Sequence, residues 1–215
     1  PASIFIPNTY IVDETMLAEM NTTAYLDFVA PEYLETHPEV AAVYYISKLG
    51  YTTYYPNINL AEEVPADFDP TSQPFFTIAN PQNNPDRIPR WTDPYQDPAG
   101  AGLIVTLSIP IYSRTGTFMG VVSADIQLSK VSQSISTIML TENGFSFLVD
   151  KNGSILAMPE QGYAAFGLQP EEIPINESPK QTILDTKSND LQQVTQRIMS
   201  GETGLFIAKI NAVEN

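Results

Sequence analysis

The chain has 215 residues, 43% of them hydrophobic and 16% charged, with a formal net charge of -15. It is long enough for one large domain or two small ones, and too apolar for a disordered tail. Without clustered Lys or Arg it has no means of neutralising nucleic-acid phosphates or of adsorbing to anionic lipid. The absence of cysteine excludes disulfides, zinc–thiolate sites and thiol catalysis. His37, the one histidine, sits in the polar break Thr36-His37-Pro38-Glu39 and reads as a surface-loop residue rather than a catalytic one. No run of about 18 apolar residues is present to span a bilayer, and no signal peptide is visible. The opening, Pro1-Ala2-Ser3-Ile4, reads as the start of a piece excised from a longer protein.

From Thr9 to Thr36, Ile11, Val12, Met16, Met20 and Leu26 recur at helical spacing, and Pro31 is expected to end or kink that helix. Val40 to Ile46 and Tyr51 to Tyr55, both β-branched and aromatic, flank the turn Ser47-Lys48-Leu49-Gly50 and predict a hairpin. Residues 56 to 98 are rich in Pro, Asn and Asp and read as a long loop, a feature uncommon unless it binds something. Leu103 to Tyr112 and Phe118 to Ile126 predict two further strands. Leu128, Val131, Ile135 and Ile138 then return to helical spacing.

A second unit begins near Thr141. Phe145 to Val149 and Ser154 to Met158 predict a hairpin around Asp150-Lys151-Asn152-Gly153. Residues 159 to 188 read mostly as loop. Leu191, Val194 and Ile198 predict a short helix with Asp190 near its N-cap. Leu205 to Ile210 predict a strand that needs a neighbour, so the unit reads as cut short.

Two strings stand out. Trp91-Thr92-Asp93-Pro94-Tyr95-Gln96-Asp97 is followed by the apolar strand ending Ser108-Ile109-Pro110, and then by Gly120-Val121-Val122-Ser123-Ala124-Asp125-Ile126. In order and spacing they resemble the double Cache family, the extracytoplasmic sensor regions of histidine kinases, chemoreceptors and related membrane receptors. The resemblance covers roughly residues 10 to 158 well. It implies an α/β (α+β) fold: a long N-terminal helix carrying two PAS-like modules with antiparallel sheets. Residues 1–37 would form the helix and its connection, 38–138 a membrane-distal ligand-binding module, and 139–215 a membrane-proximal module. The chain would lie outside the cytoplasm, reach the membrane through segments not included here, and work as a homodimer in the full receptor. No cofactor and no metal is expected.

Amino-acid-binding members of the family grip the ligand carboxylate with an Arg-x-Trp-Tyr-x-x-Ala string and its ammonium with the Tyr and Asp of the Pro-Tyr-x-Asp string and the Asp of the last strand. Here the first string reads Gln73-Pro74-Phe75-Phe76-Thr77-Ile78-Ala79, while Tyr95, Asp97 and Asp125 retain the second set. The candidate ligand-binding residues are therefore Gln73, Phe75, Phe76, Trp91, Tyr95, Asp97 and Asp125. A neutral Gln73 cannot replace a bidentate arginine. The pocket is accordingly expected to prefer a cationic or polyhydroxylated small molecule to an α-amino acid, unless Arg87 or Arg90 re-enters it. Each residue also has a plainer role: Trp91 pinning the loop, Phe75 and Phe76 filling the core, Asp97 capping the turn before Pro98-Ala99-Gly100. Asp125 is the hardest to explain structurally, because a charge inside an apolar strand is costly unless paired or used. Tyr44, Tyr54 and Tyr112 could line the same cavity. The reading is a non-enzymatic sensor; its alternatives are a hydrolase using Asp97 and Asp125 as a carboxylate pair and a structural or adhesion domain.

Overall fold

A computed structural model gives the structure of residues 1–136 and 144–206, leaving out the side chains of residues 132 and 134–136. The chain divides into two compact units, Pro1–Gln127 and Leu128–Asn215.

The first unit opens with a short strand, β1 (Ser3–Phe5), that the sequence pattern does not reveal. Two helices follow, α1 (Glu14–Thr23) and α2 (Leu26–Thr36). Asp13 caps α1, its Oδ1 accepting the Met16 N–H at 2.8 Å. The helical stretch does not stop before Pro31 but breaks earlier, at Ala24-Tyr25. There the Thr22 and Thr23 hydroxyls donate to the Ala18 and Met20 carbonyls, and Tyr25 and Phe28 make tight bonds to residues three back. Pro31 then lies inside α2 without ending it, although it forfeits one backbone hydrogen bond and crowds the carbonyl four residues back. The end of that helix is secured by the Thr36 hydroxyl on the Glu32 carbonyl at 2.9 Å and by His37, the C-cap residue, stacked on Tyr33.

The expected hairpin is β2 (Val40–Ser47) against β3 (Thr52–Tyr55), with Tyr44 opposite Tyr54. The stretch read as a long loop carries more structure than its composition suggests: α3 (Leu60–Glu63), a 3-10 turn at Pro70–Ser72, α4 (Pro74–Thr77), β4 (Arg90–Trp91) and β5 (Tyr95–Gln96). Two long strands, β6 (Leu103–Tyr112) and β7 (Phe118–Gln127), complete an antiparallel sheet in the order β1-β3-β2-β7-β6-β4, with β5 also paired to β6. All four predicted strands of this unit are present. β2 and β7 approach so closely at Gly120 that a Cβ there would lie 2.1 Å from the Ile46 carbonyl oxygen, so only glycine fits.

The alternation of a strand sends neighbouring residues to opposite faces, and both faces are covered. On one, Ala42, Tyr44, Ile46 and Tyr54 pack with Phe5, Leu60, Val64, Phe75 and Phe76. On the other, Tyr45 and Tyr51 pack with Met16 and Met20 of α1.

The second unit contains α5 (Leu128–Ser136), a hairpin of β8 (Leu148–Val149) and β9 (Ile155–Ala157), α6 (Glu160–Phe166) and α7 (Asn189–Met199). Its core is built by Ile155, Phe166, Leu168, Ile183 and Leu191. The hairpin is shorter than predicted, and its turn is organised by Asp150, whose Oδ1 accepts the Asn152 and Ser154 N–H groups at 2.8 Å each. The region expected to be loop holds α6 and a 3-10 turn at Ile183–Asp185. Ser188 caps α7, and Asp190 lies in its first turn, near the N-cap as expected. Ile138, Thr141 and most of the strand predicted at Leu205 to Ile210 lie outside the described residues; Leu205 and Phe206 are not in a strand.

Candidate ligand-binding site

The site grows from the centre of the first unit's sheet. Asp125 on β7 has Thr106 of β6 on one side and Ala42 of β2 on the other. Its side chain is buried at 2% exposure. Thr106 Oγ1 donates to Asp125 Oδ1 at 2.7 Å, and the Tyr44 hydroxyl donates to the same oxygen at 2.9 Å. Among the described residues, nothing bonds the second carboxylate oxygen. Tyr95 extends the network, its hydroxyl 2.7 Å from Thr106 Oγ1. Thr92 pins Thr106 in turn, accepting its N–H at 2.9 Å.

Asp97 arrives from the loop after β5. Its two oxygens accept the Ala99 and Ala101 N–H groups at 3.1 and 2.8 Å, closing the turn that returns the chain to β6. It therefore caps a turn and also faces the cavity. That cavity encloses about 390 Å³ of atom-free space, open solvent at its mouth included. Its wall is largely apolar, with Phe5, Ile46, Leu60, Val64, Phe68 and Phe75 prominent. Polar groups enter from Asp125, Asp97, Tyr44, Thr52 and Tyr54.

Burial pushes the Asp125 carboxyl up to about 7; the Thr106 and Tyr44 hydrogen bonds pull it back, and the charge of Asp97 raises it. Burial likewise raises Asp97, against the two backbone donors that favour its ionised form. The phenols of Tyr44, Tyr54 and Tyr95 are raised far above their ordinary value by burial first and by Asp125 next, so they stay protonated donors.

Of the residues singled out from sequence, Phe75, Asp97 and Asp125 line the cavity together. Phe75 meets Tyr44 edge-on, with ring centroids 5.8 Å apart. Tyr95 stands one layer behind, bonded through Thr106. Phe76 is buried against Phe118 and lies outside the lining. Trp91 is 54% exposed on β4, also outside it. Gln73 turns its amide back to the Asp69 carbonyl and Ser72 Oγ, at 3.1 Å each. Arg87 lies over the Tyr112 ring at 4.0 Å and Arg90 reaches Asp86 at 3.8 Å; neither lines the cavity. Thr52 and Phe5 do line it, and sequence reasoning named neither. The period-2 spacing of Thr52 and Tyr54 was the available signal for the first. Among the described residues no cluster of three His, Asp or Glu side chains is arranged to hold a metal.

Asp125, buried and hydrogen-bonded on the strand that carries Gly120-Val121-Val122, and Asp97 of the loop thus line one largely apolar cavity. The family model described as "Methyl-accepting chemotaxis protein-like, first PDC sensor domain" matches residues 13–133. The chain belongs to this family.

The chemotaxis protein McpC of Bacillus subtilis is 37% identical over 105 residues, covering 49% of this chain and 15% of McpC. PctB of Pseudomonas aeruginosa is 28% identical over 124 residues, 58% of this chain and 19% of PctB. The chain thus spans about a fifth or less of the length of these relatives. Among solved structures, the PctB ligand-binding domain in complex with L-Arg superimposes with a TM-score of 0.50 at 25% identity, covering 74% of this chain and 59% of that one. The ligand in that relative is an α-amino acid. This contradicts the preference drawn from Gln73 for a cationic or polyhydroxylated molecule over an α-amino acid. That expectation set the missing arginine at Gln73 against the retained Tyr95, Asp97 and Asp125, and Gln73 does not line the cavity: its amide is turned to Asp69 and Ser72.

Proposed function

We propose that this chain is the extracytoplasmic ligand-sensing part of a chemotaxis-type membrane receptor, and that the cavity of its first unit binds an amino acid by its ammonium group. Asp125 carries the proposal. Its carboxylate is oriented by two hydroxyl donors on one oxygen, leaving the other for a ligand in a largely apolar cavity, where a charge-assisted bond is strong. Asp97 supplies a second negative group to the same space. The role is binding rather than catalysis: the paired carboxylates serve a cation, and the family is a sensor family.

In this reading residues 38–138 form the membrane-distal module and 139–215 the membrane-proximal one. Ligand closure over the sheet shifts β2 and β3 against α1, and that shift is the signal. A conformational response requires that the ligand favour one of two states.

Thermal unfolding of the chain with each of the twenty protein amino acids tests the proposal. A ligand of the native state raises the midpoint by mass action, and the more so the further its concentration exceeds its dissociation constant. At least one amino acid is expected to raise it; no shift with any of the twenty at millimolar concentration overturns the reading.

A further inference from the structure

Thr52 is buried at 4% exposure, and its Oγ1 has no hydrogen-bond partner among the described residues. It lines the same cavity as Asp125. A buried hydroxyl without a partner is uncommon and calls for a reason; a threonine here also forgoes the purely apolar packing that valine would give. Its position adds to this. Thr52 on β3 pairs with Ile46, whereas Asp125 on β7 pairs with Ala42, and β2 lies between them. Two strand spacings across and four residues along put the two Cα atoms roughly 16 Å apart on one face of the sheet. The stacked rings of Tyr44 and Tyr54, centroids 5.3 Å apart, occupy the ground between. The cavity therefore has an acidic pole at Asp125 and Asp97, an aromatic floor, and a neutral hydroxyl at the far end that can donate or accept.

Resting on the function proposed above, we infer that Thr52 is a specificity residue: its hydroxyl hydrogen-bonds the far end of a ligand whose ammonium group sits at Asp125. The ligand class is then an amino acid with a long side chain ending in a hydrogen-bonding group. A short or wholly apolar side chain leaves the Thr52 hydroxyl unpaired.

Calorimetry with L-arginine, L-glutamine and L-norleucine on the wild-type chain and on Thr52→Val and Thr52→Ser separates the possibilities. Valine keeps the shape and removes the hydroxyl; serine keeps the hydroxyl. Wild type is expected to bind L-arginine or L-glutamine more tightly than L-norleucine. Thr52→Val should reduce that ratio roughly three- to tenfold, the worth of one hydrogen bond, without lowering the unfolding midpoint, and Thr52→Ser should retain most of it. An unchanged ratio in Thr52→Val, or a wild type that does not discriminate, overturns the inference while leaving amino-acid binding standing. Should Thr52→Val fail to fold, the serine variant decides: loss of the ratio with the hydroxyl present also overturns it. A wild type that binds none of the protein amino acids overturns the function proposed above, and this inference with it.

Discussion

Thr106 and Asp125 face one another across β6 and β7, and the threonine hydroxyl donates to Asp125 Oδ1 at 2.7 Å. The same hydroxyl meets Tyr95 at 2.7 Å. One small side chain thus links the loop that carries the Pro-Tyr-x-Asp string to the strand that carries the buried carboxylate. Thr106→Val should raise the Asp125 carboxyl further and destabilise the unit by about 1–3 kcal/mol, the usual result of leaving buried polar groups unpaired. Urea unfolding at neutral pH measures the loss, and a stability equal to wild type would show that the network is not tight.

Stability without ligand should depend on pH through Asp125. Its carboxyl titrates near 3.8 when unfolded and about 7 when folded. The folded state therefore binds more protons between those values, and stability falls as pH rises from about 4 to 7. The upward shift of Asp97 acts in the same direction. Unfolding midpoints from pH 4 to 8 are expected to decline and then level off, with a shallower decline in Asp125→Asn. Identical profiles for the two proteins would contradict the assignment.

Binding should show the opposite trend. An ammonium ligand needs the ionised carboxylate, so affinity should rise with pH up to about 7 and then flatten, the side chain's folded-state value setting the midpoint. Calorimetry at pH 5.5, 6.5 and 7.5 checks this; affinity independent of pH would place the ligand charge elsewhere.

On the face of the sheet away from the cavity, Glu19 Oε1 accepts hydrogen bonds from Tyr45, Ser47 and Tyr51 at 2.9, 2.5 and 3.2 Å. This single carboxylate ties α1 to β2 and to the residue preceding β3. Glu19→Ala should cost about 1.5–3 kcal/mol, the range for a bond to a charged group. Hydrogen exchange in α1 should speed up. An α1 as protected as in wild type would show that the latch does not hold the helix.

Much of this architecture could be read from the residues. The hairpin of β2 and β3 and the two long strands follow from β-branched and aromatic runs bounded by turn residues, and those signals are local. Asp125 was conspicuous because a charge inside Val121-Val122-Ser123-Ala124 has few cheap explanations. What escaped was non-local. β1 exists only because Ser3 to Phe5 find β3 some fifty residues later in the chain, and no period within three residues reveals that. Thr52 resembles any strand threonine until its missing partner is seen. Gln73 holds the frame of the family string, yet its place at the N-terminus of α4 gives its amide nearer acceptors at Asp69 and Ser72. The break at Ala24-Tyr25 came from threonine hydroxyls competing for carbonyls, a subtler signal than the proline that pattern reading favoured.

Calorimetric titration of the wild-type chain and of Asp125→Ala at pH 7.5, with the protein amino acid that most raises the wild-type unfolding midpoint, tests the central claim most directly. The account predicts saturable 1:1 binding by wild type and a loss of about 1.5–3 kcal/mol, roughly ten- to more than a hundredfold in affinity, in the variant, with its secondary structure intact by circular dichroism. Equal affinity in a folded Asp125→Ala protein would contradict it, because the ligand would then be held by something other than the buried carboxylate.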